Sequence, residues 1–269
     1  MKIKGPQRIV CMTEESVETL YAIGREDLII GVSSFVKRPP RARKKTTISA
    51  FTHANISKIE ELKPDLILGF SDIQKDIARE LIGLGFNVFI SNHRSLEETL
   101  SYILNLGSLV GERDKAIKLV NHYENLMEKA QLLAESLKIK PKVYLEEWDS
   151  PMICGIRWFS ELVEICGGQD ICKNFSRGVL AKDRFIKKEH VIDQDPDIIL
   201  GCWCGKKVDL SSFKQREGWK KIKAVQKNQL IELKPEIFLQ PGPALFEDGL
   251  AILGNLFKDW NDKFSLGRL

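Results

Sequence analysis

Two short stretches gather the residues best able to do chemistry. Trp203-Cys204-Gly205-Lys206-Lys207 closes an apolar run, Ile198-Ile199-Leu200, and Glu146-Glu147-Trp148-Asp149 closes another that begins at Lys142. Three of the five tryptophans, Trp148, Trp158 and Trp203, fall at strand ends or helix starts instead of mid-element. Indole faces beside polar side chains suit a large planar or conjugated ligand. Each indole also suits core packing, and both readings stand at this point. The ammonium groups of Lys206 and Lys207 suit a carboxylate or phosphate, with plain solvation as the alternative. Gly205 lets the backbone turn there. Gln240-Pro241-Gly242-Pro243 reads as a rigid loop opening the last helix, its amides facing an anion or simply capping that helix.

Metal and catalytic readings follow from the same residues. Cys202 and Cys204 alternate on a strand, so both thiols point one way, as soft-metal ligands do. His53, His93, Glu147 and Asp149 come from separate strand ends and suit zinc or manganese if they converge, although the chain has only four histidines. The carboxylates at Glu146 to Asp149 suit acid/base work in an enclosed site. No nucleophile elbow, phosphate-cradling glycine loop or HExxH pattern accompanies them. The expectation is therefore no catalytic residue, no resident metal and no covalently bound cofactor.

These residues need elements to position them, and an internal repeat supplies the plan. Ile59-Glu60-Glu61-Leu62-Lys63-Pro64-Asp65-Leu66-Ile67-Leu68-Gly69 recurs as Val191-Ile192-Asp193-Gln194-Asp195-Pro196-Asp197-Ile198-Ile199-Leu200-Gly201. Both predict a short helix, a Pro-Asp turn and a continuous apolar strand. Upstream of each lies another pair. A strand from Arg8 to Met12 precedes a helix stopped by Gly24, and a strand from Lys142 to Leu145 precedes a helix stopped by Gly167-Gly168. Glycine just past a last apolar turn is a helix stop. A third strand follows each, Asn87 to Ser91 and Gln229 to Leu233.

Strands without polar alternation suit parallel sheets covered on both faces. The fold expected is thus α/β: two small parallel-sheet lobes, 1–111 and 141–269, with a ligand cleft between them. Residues 112–140 form the bridge. Apolar positions Ile117, Val120, Tyr123, Met127, Ala130, Ala134 and Leu137 mark one face of a helix from Glu112 to Lys138. At 1.5 Å per residue it spans roughly 40 Å.

Ligands of open α/β sheets bind beyond the carboxyl ends of the strands. That rule selects Thr13, Glu14, Ser33, Phe35, Phe51, His53, Phe70, Ser71 and His93 in the first lobe. In the second it selects Glu147, Trp148, Asp149, Trp158, Arg184, Trp203, Lys206, Lys207 and Gln240.

Composition narrows the partners. In 269 residues, 43% are hydrophobic, enough for a substantial core. Forty-one basic against thirty-seven acidic residues leave a net charge of only +4, a mixed surface and not a nucleic-acid footprint. No apolar run approaches the ~20 residues of a membrane span. A monomer binding a small molecule is expected. Six cysteines match no common zinc spacing and read as reduced, mostly buried thiols. The N-terminal residues carry no signal peptide, so the chain as written is expected in the cytoplasm, or in the periplasm if a signal was trimmed or the start lies upstream.

The chain resembles the helical-backbone class of periplasmic substrate-binding proteins for cobalamin and iron chelates, which serve ABC importers. Carrying the resemblance are Arg8-Ile9-Val10, Glu15 to Gly24, Ile30-Gly31-Val32-Ser33, Arg38-Pro39-Pro40, Ile59 to Phe70, Leu84 to Val88, Glu161 to Gly168, Gly218-Trp219 and Ala224-Val225. It implies a bulky ligand, cobalamin or an iron chelate such as a siderophore or haem, and an ABC permease as partner. The family's docking acids would fall at Asp76 and Glu217, although the neighbouring Lys75 carries the wrong charge. The alternatives are a zinc- or manganese-binding protein of the same fold, or a cytosolic enzyme using the cleft carboxylates.

Overall fold

Apolar runs without polar alternation do form the central strands, and the computed structural model describes them within residues 5–267. In the first unit these are β1 (Ile9–Cys11), β2 (Ile29–Ser33), β3 (Thr46–Ser49), β4 (Leu66–Phe70) and β5 (Val88–Ser91). They lie in the order β3-β2-β1-β4-β5, and every pairing is parallel. β1 and β4 are buried along their whole length. Val10, Met12, Ile48, Ile59, Ile67 and Leu81 share one core cluster of this unit, each such side chain contributing about 1.5–3 kcal/mol on burial.

The second unit holds β6 (Lys142–Asp149), β7 (Met152–Cys154), β8 (Gln169–Asp170), β9 (Ile198–Gly201) and β10 (Leu230–Glu232). Its order is β10-β9-β6-β7, with β8 also paired to β6. β7 is antiparallel, so this sheet is parallel except at one edge. The three-strand core β1-β4-β5 of the first sheet thus has its counterpart in β6-β9-β10 of the second.

The repeated Pro-Asp motif does the same work twice. The helix Ile56–Leu62 ends at Lys63 with φ 47°, and the helix Lys188–Gln194 ends at Asp195 with φ 48°. A following proline disfavours helical backbone at both residues. Asp65 then accepts hydrogen bonds from the backbone N–H groups of Gln7 and Arg8 at 2.7 and 2.9 Å. Asp197 accepts one from Lys142 at 2.9 Å. The side chains of Arg8 and Lys142 donate in return to the last carbonyls of the preceding helices, Leu62 O at 2.6 Å and Gln194 O at 3.2 Å. A cationic side chain at a helix C-terminus also complements the helix dipole.

Gly24 (φ 71°) and Gly167 (φ 95°) stop the helices Glu14–Ala22 and Arg157–Ile165. In sequence between β5 and β6 run the helices Leu96–Leu109 and Arg113–Glu135, separated at Gly111. Gly107 permits their close approach, since a Cβ there would lie 2.3 Å from that of Ala116. The second helix belongs to the first unit through Tyr123 and to the second from Glu124. Ala116, Val120, Tyr123, Ala130 and Ala134 are its buried positions, whereas Ile117, expected on that face, is exposed. Its 23 residues span about 35 Å. Among the described residues no helix is long and apolar enough to cross a membrane.

Candidate functional site

Strand order fixes where each unit can hold a ligand. In the second sheet β7 and β9 flank β6 on opposite sides, so the chain leaves β6 in one direction and later returns on the other. Such a switch point opens a crevice at the carboxyl ends of the two diverging strands. Here those ends are Glu147-Trp148-Asp149 after β6 and Cys202 to Lys206 after β9. Both stretches identified from residue type alone therefore meet at one place.

Lys206 organises that place. Its Nζ lies 2.6 Å from Asp149 Oδ1, 4.1 Å from the centre of the Trp148 ring and 4.6 Å from that of Trp203. Gly205 turns with φ 76° and nothing within 4 Å of where a Cβ would sit, which swings Lys206 back over the indoles. Burial opposes ionisation of Asp149, but the Lys206 ammonium and nearby backbone N–H groups outweigh it and hold the carboxyl below its ordinary range. Trp148 is half-buried and donates its Nε1–H to Ser150 O at 3.0 Å. Trp203 differs: it is 2% exposed and packs edge-on to Phe213. Lys206 is also partly open to solvent, and Lys207 is exposed.

Beneath this surface lies a charged pair that sequence reasoning missed. Glu146 is fully buried, and its carboxylate receives Arg216 at 2.6 and 2.8 Å, the Tyr144 hydroxyl at 2.9 Å and Trp203 Nε1 at 3.2 Å. Burial pushes the Glu146 carboxyl up while Arg216 pulls it down, and the net direction is upward. Strand parity was the available signal: Glu146 shares a face with Tyr144, the core face, and Glu147 takes the opposite one.

Glu147 and Arg184 find each other. Arg184 Nη1 lies 2.7 Å from Glu147 Oε2 and donates to Cys154 O. Glu147 Oε1 accepts from Ile156 N at 2.6 Å, just before the helix Arg157–Ile165. That pair ties β6 and β7 to the 181–184 turn. Trp158 is buried, its Nε1–H donating to Phe238 O at 2.9 Å.

The corresponding switch point in the first sheet lies at β1 and β4, flanked by Thr13, Glu14, Phe70 and Ser71. Thr13 precedes the helix Glu14–Ala22 and donates its hydroxyl to Glu15 Oε1. Burial pushes the Glu15 carboxyl up to about 7, against the Thr13 hydrogen bond. Phe70 is buried, edge-on to His93 at 5.0 Å. His93 stacks on Tyr102 at 4.6 Å and sits 2.9 Å from Pro241 O through Nε2. A carbonyl only accepts, so Nε2 carries a proton and, in the neutral ring, Nδ1 accepts from Ser91 Oγ at 2.8 Å. The segment Gln240–Pro243 packs with this unit; Gln240 is buried. Ser33 is buried at the end of β2, Phe35 is 41% exposed, Phe51 is half-buried and His53 is exposed beside Thr52.

Among the described residues, no group of three or more His, Cys, Asp or Glu side chains is placed to hold a metal ion. Asp76 lies on the helix Lys75–Gly83 beside Arg79 at 3.6 Å. Glu217 is exposed and pairs with Lys188.

Comparison with known proteins places this geometry. The periplasmic binding protein family profile matches residues 9–237. An ABC transporter substrate-binding lipoprotein of Bacillus subtilis, YvrC, is 23% identical over 267 residues, covering 95% of this chain and 82% of that protein. The vitamin B12-binding protein of Vibrio vulnificus is 28% identical over 170 residues, 61% of each chain. The structure of Staphylococcus aureus IsdE complexed with heme superposes with a TM-score of 0.79 at 24% identity, covering 94% of this chain and 99% of that one. These relatives, a lipoprotein among them, give no support to the cytoplasmic address expected from the N-terminal residues.

Proposed function

The chain belongs to the periplasmic binding protein family, and on that premise we propose that it is the substrate-binding component of an ABC importer for a bulky metal chelate. Cobalamin is the first ligand on this reading and an iron chelate such as haem the second. The Vibrio relative is a vitamin B12-binding protein, and the Staphylococcus structure of the same fold holds heme. The relatives are binding proteins, which favours retention of an unaltered ligand over its turnover. A lipoprotein relative supports a place outside the cytoplasmic membrane, where the chain would meet its permease.

One observation carries the reading for this chain: Lys206 held above Trp148 and against Asp149 at the β6/β9 switch point. A half-buried indole offers a flat apolar face to a conjugated ring, and the ion pair beside it offers a donor and an acceptor to peripheral amides or carboxylates. Trp203 lies beneath Lys206 beside it, and Glu147, Trp158 and Arg184 are further candidates in the same unit. Thr13, Glu14, Phe70 and their neighbours at the first unit's switch point, with Phe35, Phe51, His53 and Gln240, are the further candidates. Asp76 and Glu217, both on exposed surface, are the acids proposed to meet the permease.

Native mass spectrometry of the protein incubated with cobalamin, haemin and a ferric siderophore tests this. One chelate retained at one per chain is the expected result. A protein that retains none, or that converts one into a product, overturns the proposal.

A further inference from the structure

Two cysteines outside the candidate site meet on one edge of β6. β7 runs antiparallel along the carboxyl half of that edge and ends with Cys154 opposite Glu146. β8 runs parallel along the amino half, with Asp170 opposite Val143. Since β9 occupies the other edge of β6, the two short strands approach each other head to head. Gly155 N–H donates to Leu145 O at 3.1 Å and Ile171 N–H to Val143 O at 3.0 Å, which leaves Cys154 and Cys172 at the meeting point. Both are fully buried in one core cluster with Tyr144 and Trp219. Their thiols act on each other directly: the Cys154 thiol first, and burial second, hold the Cys172 thiol far above its ordinary range. None of the six cysteines is joined in a disulfide in the structure.

We propose that Cys154 and Cys172 are a disulfide-forming pair, joined when the chain folds in an oxidising compartment. Each thiol gives up its proton and the two together give up two electrons as the S–S bond forms. A disulfide oxidant, glutathione disulfide or the disulfide of a thiol oxidase, takes up the electrons and protons and leaves as two thiols. Attack requires a thiolate within reach of the external oxidant, and both cysteines are fully buried in the folded core, so the bond forms before β7 and β8 close over the pair. The cross-link then fastens both short strands of this edge. Oxidising compartments are where such bonds persist. This inference rests on the extracytoplasmic setting proposed above and not on which chelate is bound.

The experiment uses the full chain, reduced and denatured, then refolded with a mixture of oxidised and reduced glutathione. Iodoacetamide is added in denaturant so that buried thiols react, and the unreduced digest is mapped by mass spectrometry. Four alkylated cysteines and one linked peptide pair joining Cys154 to Cys172 are expected. Six alkylated cysteines, or a link joining any other pair, overturn the proposal. Ligand retention is measured separately, so failure here leaves the binding reading to its own test.

Discussion

Arg216 grips Glu146 with both ends of its guanidinium, at 2.6 and 2.8 Å, although the two residues lie 70 positions apart. The carboxylate is fully buried, and the guanidinium carbon sits 4.7 and 4.5 Å from the ring centres of Phe213 and Trp219. This pair stands directly under Trp203, so it supports the surface on which Lys206 rests.

Replacing Arg216 with Ala strands a buried carboxylate. Breaking such a pair from one side costs about 3–5 kcal/mol, more than the pair itself contributes relative to an apolar substitute. Urea unfolding of Arg216→Ala should show a clearly lower midpoint. An unchanged midpoint would mean that water reaches Glu146 and that the pair is not closed.

Glu15 makes stability depend on pH in the first unit. Its carboxyl is raised from 4.5 to about 7 by burial, so the folded state holds a proton that the unfolded chain releases. The resulting stabilisation is complete below about pH 4.5 and is lost as pH rises through about 7. A shift of that size corresponds to roughly 3 kcal/mol. Asp170, raised from 3.8 to about 6 by burial, acts with the same sign in the second unit. Glu15→Gln should flatten the pH dependence of thermal unfolding between pH 5 and 8 (about the window of the shift). An equally steep profile in the variant would place the titration elsewhere.

The two indoles beside Lys206 should separate in their effects. Trp148→Ala removes a half-buried stacking face and is expected to weaken chelate binding by about 1–3 kcal/mol, by analogy with base stacking on aromatics, with little change in melting temperature. Trp203→Ala empties a core position and is expected to cost about 3–5 kcal/mol of stability. Equal effects of both substitutions on unfolding would contradict this division.

Asp65 and Asp197 should be matched in their contributions. Each closes the turn between its helix and strand by accepting backbone N–H groups at the start of a neighbouring strand. Removing a charged acceptor of this kind costs about 1.5–3 kcal/mol. Asp65→Ala and Asp197→Ala should each lower the unfolding midpoint. One of them acting alone would deny the structural equivalence of the repeats.

Much of this fold was readable because the repeat carries its own chemistry. Pro after a left-handed residue, Asp as a strand-start acceptor and a continuous apolar run specify helix, turn and parallel strand locally. The antiparallel β7 was not readable, since Met152 to Cys154 is too short for a periodic pattern to mark its direction. Ile117 misled because aliphatic type was given more weight than the small size that Ala116 needs against Gly107. Strand-end reasoning selects Trp148, Trp203, Asp149 and Lys206, and in the structure Lys206 lies beside the other three. It could not tell the half-buried Trp148 from the buried Trp203, because that difference depends on Phe213 and Arg216, which lie in a later helix and the loop after it.

Isothermal titration of the purified chain with cobalamin, haemin and a ferric siderophore, repeated with Trp148→Ala and Lys206→Ala, tests the central claim most directly. The predicted result is saturable heat at one site per chain for one of these chelates, with affinity lowered roughly five- to hundredfold in each variant. No heat with any of them, or full affinity in both variants, would contradict the account.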